Sequence, residues 1–398
     1  MTCLFPFLSL AASRAATLGL SAVFLLSLVA STFATDLASA DALWARFKVE
    51  QSKPRPVPER REDQTVITRG YVEAMRDRGD AVARLLQEFI DRYPEDPRCG
   101  EAVAELAATV RFFIIEIGDV ERRGWDAVRR DPEAGRAWKA KVDYWLTSAL
   151  GNPRWSPAVR QRLLERWVEN GRGSLVQRET SDDYRLRLDQ LRHDFPHARS
   201  IIMYERIYLA MLRSLDPAAV KPWLASIAAG PISELAVWAE GELRVERARF
   251  EPMVGKATAL DGRVVDLAAL RGKVVLIEYW ATWCGPCIAE LPTIRRVYDA
   301  YHERGFEIIG ISLDNQEAKA RLTEFVATHS LPWPQVFEGK GWRSEWATNY
   351  AIQAIPAMFL LDREGRIASL NARGPKLEQE VRRLLGPGRA GGTASVHP

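Results

Sequence analysis

The chain has 398 residues, of which 47% are hydrophobic and 27% are charged. A chain of this length can form two or three domains. Its composition is typical of a globular protein and excludes a disordered or fibrous chain. The 55 basic and 52 acidic side chains nearly cancel, which leaves a formal charge of +3. Because the charge is so even and no basic block carries interleaved aromatic residues, we expect no nucleic acid among the partners.

Residues 1–40 have the features of a targeting segment. No charged residue lies between Ala15 and Thr35, and Ala38-Ser39-Ala40 is a small-residue pattern that suits a signal peptidase. We expect a signal peptide that is cleaved before Asp41. The alternative is an uncleaved membrane anchor, because the 21 uncharged residues approach the ~20 that span a bilayer. Both interpretations predict an extracytoplasmic protein, either periplasmic or anchored to a membrane and facing outward.

A proline-rich stretch follows the targeting segment. Residues 53–63 read KPRPVPERRED, in which three prolines stand among mostly charged neighbours. Proline favours an extended backbone, so this composition is typical of a linker rather than of a packed element. We therefore assign residues 41–64 to a linker that precedes the first folded domain.

Residues 65–250 are predicted to form an all-α domain, because apolar residues recur there at helical spacing. Two segments resemble each other, FIDRYPEDP from Phe89 and LRHDFPHA from Leu191, and Asn152-Pro153 is a looser third instance. In the first two, an aromatic residue and a proline end a helical run. The pattern resembles tetratricopeptide-type helical hairpins, and an irregular bundle is the alternative. Either arrangement offers a surface for a protein partner and no catalytic residue.

The four cysteines have different expected roles. Cys3 lies in the targeting segment and Cys99 in the helical domain, whereas Cys284 and Cys287 form a C-x-x-C pair. An exported chain with one close pair and one odd thiol is not a disulfide-stapled scaffold. A zinc site would need two further ligands, and Cys99 belongs to another domain. We therefore expect the pair to be chemical rather than structural, with no metal.

From residue 251 to 385 short apolar strands alternate with helices. Asp261-Gly262 is typical of a hairpin turn, and helices are predicted over 316–328 and 376–385. The predicted strands, in chain order, are 274–280, 306–312, 358–361 and 366–370. The alternation and the final hairpin predict an α/β sandwich with a mixed sheet. Residues 386–398 are predicted to be a disordered tail.

The cysteine pair lies in the string WATWCGPC, directly after a predicted central strand. Cys284 falls at the start of a helix, where unpaired N–H groups and the helix dipole stabilise a thiolate. Such a position lowers a thiol pKa from about 8.5 into the range of roughly 3.5–7.5. Cys287 lies in the first turn and is more shielded. We therefore expect Cys284 to attack a substrate disulfide and Cys287 to resolve the mixed disulfide that results.

Three neighbouring residues shape this site. Gly285 and Pro286 set the geometry between the two cysteines, since proline suits the first turn of a helix. Trp283 adds a flat apolar surface beside the reactive sulfur and is a candidate substrate contact.

The motif WATWCGPC after an apolar strand resembles the active site of the thioredoxin superfamily. The wider pattern, GKVVLIEYWATWCGPCIAELP, GFEIIGISLD and IQAIPAMFLLDREGRI, resembles the TlpA/ResA-like branch of exported thiol–disulfide oxidoreductases. The resemblance covers about Val254 to Leu385. It implies a thioredoxin-like fold, a redox-active disulfide between Cys284 and Cys287, and no cofactor.

The same resemblance implies function. It implies reduction of disulfide-bearing protein substrates, with cytochrome c maturation as the setting and a membrane thiol as the electron donor. A disulfide oxidase or isomerase would share all of these residues. A rival of another class is an interaction protein whose helical domain recruits partners.

The resemblance also assigns roles to three residues beyond the motif. Pro356 matches the cis-proline that faces the disulfide, and Ile355 before it would offer backbone groups to an extended substrate. Glu278 matches a buried acid behind the second cysteine, whose pKa should rise so that it exchanges a proton with Cys287. Glu290 matches an acidic position of the ResA-like branch, with a solvated helix residue as the alternative.

Overall fold

The computed structural model of the chain describes residues 39–61, 64–171 and 178–386. Contacts within the chain divide it into two units, Met1–Met211 and Leu212–Pro398, and each is described by itself. The predicted targeting segment and tail fall almost entirely outside the described residues. In the part of the chain that is described, no helix is both long and apolar enough to cross a membrane.

The first unit is mainly helical, as predicted. Its helices are α1 (39–52), α2 (Arg69–Arg92), α3 (Cys99–Ala108), α4 (Val120–Arg123), α5 (Pro132–Leu150), α6 (Pro157–Gly171), α7 (Arg178–Asp194) and α8 (Ile201–Leu215). Two antiparallel strand pairs accompany them, β1 (Glu59–Arg61) with β2 (Gln64–Val66) and β3 (Ile114–Ile117) with β4 (Val128–Arg130). The strands depart from the all-α prediction. Strand β3 reads IIEI, and β-branched isoleucine favours extended backbone.

Residues 41–52 differ from the extended linker that the sequence predicts, because they belong to helix α1. Leu43 and Phe47 are one helical turn apart, and both are buried in the same apolar cluster as Phe89 of α2. The Trp44 ring lies 5.1 Å from the Phe89 ring. Burial of this apolar face stabilises a helix that the charged residues around it would not predict.

Helices α2, α5 and α7 end where the proline-containing segments predict. Helix α2 ends at Arg92 before Tyr93-Pro94, α5 at Leu150 before Asn152-Pro153, and α7 at Asp194 before Phe195-Pro196. Proline has no N–H to continue the ladder and disfavours helical backbone in the residue before it. The likeness of these segments therefore reflects a shared way of ending a helix, and the tetratricopeptide-type repeat stays a prediction.

The second unit carries the predicted α/β part. Its elements after α8 are α9 (Val220–Ala228), α10 (Ser233–Ala248), β5 (Lys256–Thr258), β6 (Val264–Asp266), β7 (Val274–Trp280), α11 (Gly285–Tyr301), β8 (Phe306–Ser312), α12 (Lys319–Thr328), β9 (Gln335–Phe337), α13 (Glu345–Asn349), β10 (Ala357–Leu361), β11 (Ile367–Ser369) and α14 (Pro375–Leu385). Strands β5 and β6 form the hairpin around Asp261-Gly262. Strand β9 and helix α13 are not predicted from the sequence, because each is too short to show a period.

Five strands form a mixed sheet in the order β11-β10-β7-β8-β9. Strands β7, β8 and β9 are parallel, whereas β10 is antiparallel to both β7 and β11. Helices α11 and α14 pack against the sheet. The predicted thioredoxin-like fold with a mixed central sheet is confirmed. Strand β7 is buried along its whole length, as its continuous apolar run predicts.

The loops that surround the cysteine pair meet at one edge of this sheet. Parallel strands β7, β8 and β9 all end at this edge, so the residues that follow them lie side by side. Strand β10 begins at the same edge, because its first residue, Ala357, pairs with Tyr279 near the end of β7. The segment before β10 therefore meets the segment after β7.

Helix α10 shares a core with the sheet, although the sequence predicts a domain boundary after residue 250. Val245 and Ala248 of α10 are buried in the same apolar cluster as β7 and β8. Gly241 lies against the end of α13, where a Cβ atom would be 2.9 Å from the carbonyl oxygen of Thr348 and 2.8 Å from the backbone nitrogen of Ala351. The close approach of the two backbones requires glycine at this position.

Candidate redox site

Cys284 is the N-cap residue of α11, and a disulfide joins it to Cys287 with an S–S distance of 2.07 Å. The backbone N–H of Cys287 donates to the Cys284 sulfur at 3.2 Å. Cys287 is fully buried, whereas 5% of the Cys284 surface is exposed. In the reduced protein the same N–H and the helix dipole would stabilise a Cys284 thiolate. Pro286 lies in the first turn, where its missing N–H costs nothing.

The Ile355–Pro356 peptide bond is cis, as the resemblance implies. Pro356 directly precedes β10 and therefore lies at the edge where β7 ends and the cysteine loop begins. Ile355 is half-buried, and neither its N–H nor its C=O pairs with another backbone group of the described residues. These groups remain available to an extended segment laid beside them.

Glu278 occupies the middle of β7 and is fully buried. It is flanked in the sheet by Met358 of β10 and Gly310 of β8. Neither carboxylate oxygen has a hydrogen-bond partner among the described residues. Burial, with a smaller contribution from the charge of Glu290, raises the pKa of Glu278 to about 8. A carboxyl group with that pKa can give or take a proton near neutral pH.

Glu290 lies on α11 and is anchored by two contacts. Arg373 forms an ion pair with it at 3.4 Å, and the backbone N–H of Gly374 donates to its other oxygen at 3.2 Å. The side chain is mostly buried, so the solvated alternative does not describe it. Glu290 ties α11 to the start of α14, and its charge acts on Glu278.

Asp314 belongs to the site but is not among the residues that the sequence predicts. It is fully buried after β8 and accepts hydrogen bonds from the Thr282 backbone N–H at 3.0 Å, the Thr282 hydroxyl at 2.7 Å and the Ser312 hydroxyl at 2.9 Å. These bonds fix the turn between β7 and Cys284. The signal available in the sequence was an acid two residues after a buried strand, since ligands bind beyond the carboxyl ends of parallel strands.

Two exposed tryptophans lie beside the disulfide loop. Trp283 precedes Cys284 and is 51% exposed, and Trp342, in the turn after β9, is 44% exposed. Their ring centroids are 6.2 Å apart, with an angle of 53° between the ring planes. The sequence indicates only Trp283 as a candidate. Trp342 comes close to Trp283 because it follows strand β9, which the sequence does not predict.

Cys99 lies in the first unit and is buried. Burial raises the pKa of its thiol to about 11. Because the thiolate is the reactive form, this thiol is a weak nucleophile at neutral pH. Its environment is that of a packed apolar side chain.

The match to a family model covers residues 248–385, and that family is Redoxin. The thiol-disulfide oxidoreductase ResA of Bacillus thuringiensis subsp. konkukian is 30% identical over 128 residues, which are 32% of this chain and 70% of that relative. ResA of Halalkalibacterium halodurans is 31% identical over 130 residues, which are 32% of this chain and 71% of that relative.

Two solved structures are also similar to part of this chain. The thioredoxin domain of a thiol-disulfide oxidoreductase of Bacteroides vulgatus is 28% identical, with a TM-score of 0.32, and covers 35% of this chain and 97% of its own. A thiol-disulfide oxidoreductase of Bacteroides fragilis is 26% identical, with a TM-score of 0.32, and covers 34% of this chain and 98% of its own.

The sheet, the cysteine pair and the matched family together define a thioredoxin-like thiol-disulfide oxidoreductase. Within that class, the chain belongs through its C-terminal third to the family of the ResA thiol-disulfide oxidoreductases.

Proposed function

We propose that this protein reduces disulfide bonds of exported proteins through the dithiol of Cys284 and Cys287. The observation that supports the proposal best is the position of Cys284 at the N-cap of α11, with its sulfur accepting the Cys287 N–H. The Cys284 thiolate attacks one substrate sulfur, and the other leaves as a thiolate. Cys287 then attacks the Cys284 sulfur, which releases the second substrate thiol and forms the Cys284–Cys287 disulfide.

Glu278 and Ile355 support this sequence of steps. Cys287 must lose its proton before it attacks, and Glu278, with its raised pKa, is the acceptor that we propose. The unpaired backbone groups of Ile355 would hold the substrate in an extended conformation beside the disulfide. A thiol donor in the membrane would return two electrons to the pair and complete the cycle.

The assignment of the two cysteines is tested by trapping. Cys287→Ser should accumulate a mixed disulfide between Cys284 and its substrate, because the resolving thiol is gone. Cys284→Ser should trap nothing, and Cys99→Ala should behave as the wild type. Nonreducing gels with mass spectrometry of the linked peptides measure the outcome. Trapping by the Cys284 variant in place of the Cys287 variant would contradict the assignment.

The direction of electron flow is tested by a redox titration. The Gly-Pro dipeptide between the cysteines resembles that of reducing thioredoxins, whose potentials lie near about −270 mV. We expect a midpoint well below about −200 mV for the purified protein in a glutathione titration. A midpoint near the about −120 mV of strong oxidants would support the oxidase alternative instead.

The setting we propose is extracytoplasmic and includes cytochrome c maturation. The targeting pattern of residues 1–40 and the resemblance to the exported ResA-like branch support it. The helical region, with its tetratricopeptide-like pattern, would recruit a partner or client. A haem-attachment segment, C-x-x-C-H, carries two cysteines that must be reduced before haem is joined. Its capture on Cys284 by the Cys287→Ser variant would support this setting, and capture of unrelated disulfide-rich proteins alone would contradict it.

A further inference from the structure

We propose that Trp283 and Trp342 together form a docking surface for an apolar, above all aromatic, side chain of the polypeptide that carries the substrate disulfide. The proposal rests on the proposed function, because it specifies the substrate that the cysteine pair acts on. It adds Trp342, which lies about 60 residues away in the chain, as a residue that determines specificity.

The two tryptophan rings are exposed beside the disulfide loop. Trp283 and Trp342 are each about half exposed, and their centroids are 6.2 Å apart. Because the planes are tilted by 53°, the rings are not stacked, and each retains a solvent-facing surface. Tryptophan offers a large, stiff apolar area and is enriched among the residues that dominate binding energy. Since Trp283 is bonded to Cys284, the surface is continuous with the reactive sulfur.

The turn that carries Trp342 is held in place by several hydrogen bonds. The Glu338 carboxylate accepts hydrogen bonds from the Glu345 backbone N–H and the Ser344 hydroxyl, each at 2.9 Å, and forms an ion pair with Lys340 at 3.5 Å. A β-bridge joins Lys340 to Asn315 in the loop after β8. A turn fixed in this way loses little conformational entropy when a partner binds, which favours a binding role.

The segment that carries Trp283 is also held by hydrogen bonds. The Asp314 carboxylate holds Thr282 through two hydrogen bonds, and Asn315 follows Asp314 in the same loop. The loop after β8 therefore braces both tryptophan-bearing segments, one through Thr282 and the other through Lys340.

The geometry of an extended chain indicates which substrate would bind to this surface. A side chain two or three residues from the substrate cysteine lies roughly 7–11 Å along an extended backbone. A side chain at that distance from the substrate cysteine can contact the Trp283 ring, which adjoins Cys284, or the Trp342 ring 6.2 Å from it. Glutathione disulfide has no apolar side chain, so it would gain nothing from this surface. The structure therefore favours a polypeptide disulfide with an apolar residue close by.

The experiment compares two disulfide peptides that differ only in Trp or Ser two residues from a cysteine, with glutathione disulfide as a third substrate. For the wild type we expect kcat/KM to be roughly tenfold higher for the Trp peptide. Trp342→Ala should abolish that preference, mainly through KM, and leave the glutathione rate and the redox midpoint unchanged. Trp342→Phe should restore most of it. Phe250→Ala removes another exposed aromatic residue of the same unit and should have no effect.

Two results would overturn the proposal. One is an unchanged peptide preference in Trp342→Ala. The other is an equal loss for peptides and glutathione, which would mean that Trp342 acts through the fold of the site. If the pair proves oxidising, the same comparison uses dithiol peptides and the oxidised protein. The ratio of the two peptide rates then still tests whether the docking surface exists, whichever direction the reaction takes.

Discussion

Two carboxyl groups near the disulfide, Glu278 and Glu290, have opposite environments. Glu290 has an arginine partner and a backbone N–H, so its charge is compensated. Glu278 has no partner among the described residues and is fully buried. Burial of a carboxylate without partners is costly, so the group stays protonated up to about its pKa of 8. Glu278 is therefore the carboxyl group whose pKa the fold raises toward neutral pH.

Glu278 should make the oxidised protein less stable as the pH rises. Its pKa is about 8 in the folded protein, against an ordinary value of 4.5. Below about pH 4.5 both states are protonated, and the full stability is present. Between about 4.5 and 8 the unfolded state loses its proton first, so the free energy of unfolding falls. Each pKa unit corresponds to about 1.4 kcal/mol, which makes the total fall a few kcal/mol.

Glu278→Gln should remove this fall. Urea unfolding of both oxidised proteins at pH 5.5, 7 and 8.5 gives the measurement, and the stability of the variant relative to the wild type should rise with pH. In turnover, the variant should be slower at neutral pH with a flatter pH profile, while alkylation of Cys284 stays largely intact. Parallel stability curves and an unaltered pH profile would remove Glu278 from both roles.

The sequence predicts those site residues that belong to contiguous motifs. Cys284, Cys287 and Pro356 lie where WATWCGPC and IQAIPA predict, because a strand end and a helix start fix them locally. Asp314 and Trp342 are beyond the reach of such patterns. Each approaches the cysteine loop only because β8 and β9 end beside β7, which is a long-range pairing.

Among the elements, strands β7 and β8 are predicted within their observed bounds, because they are long buried runs with no polar alternation. Strand β9 has three residues, QVF, and no period can be read from so short a segment. The strand pairs of the first unit are missed for the same reason. Element length therefore decides what the sequence reveals here.

Helix α10 should be required for a stable redox unit. A fragment that begins at residue 212 keeps the ion pairs of Arg213 with Glu242 at 2.9 Å and Glu246 at 2.6 Å, and keeps Val245 in the core. A fragment that begins at 251 loses them and exposes apolar surface of the sheet domain. We expect the shorter fragment to be less stable by a few kcal/mol, from burial at about 25 cal/mol per Å².

Thermal unfolding of the two fragments, both oxidised, measures this difference. In the full chain, Gly241→Leu should destabilise in the same direction, because no side chain fits between α10 and the end of α13. Gly285→Ala, where a Cβ meets no atom within 4 Å, is the matched control for stability. Equal melting temperatures for the two fragments would contradict this prediction. They would mean that the stable redox domain begins at residue 251, as the sequence predicts.

At the scale of the whole molecule, the sequence predicts a helical part and a redox part. Only the change in hydrophobic periodicity indicates where one ends and the other begins. The change from helical to strand periodicity falls near residue 250, whereas contacts divide the chain after Met211. Periodicity reports the type of an element and not the neighbour against which it packs. The two helices between these positions, α9 and α10, are helical in pattern but lie in the second unit by their contacts, and α10 also shares the core of the sheet.

The gathering of the site at one sheet edge has a consequence for the order of events in biosynthesis. The cysteines precede Pro356 by about seventy residues, and β10, which pairs with β7, is formed by residues 357–361. Until residues 357–361 have emerged and paired with β7, the nascent chain carries two thiols that the Pro356 segment does not yet face. Contacts so distant in sequence form slowly. If the protein is exported as we propose, its newly made chain would therefore be a substrate of other oxidoreductases before it acts as one itself.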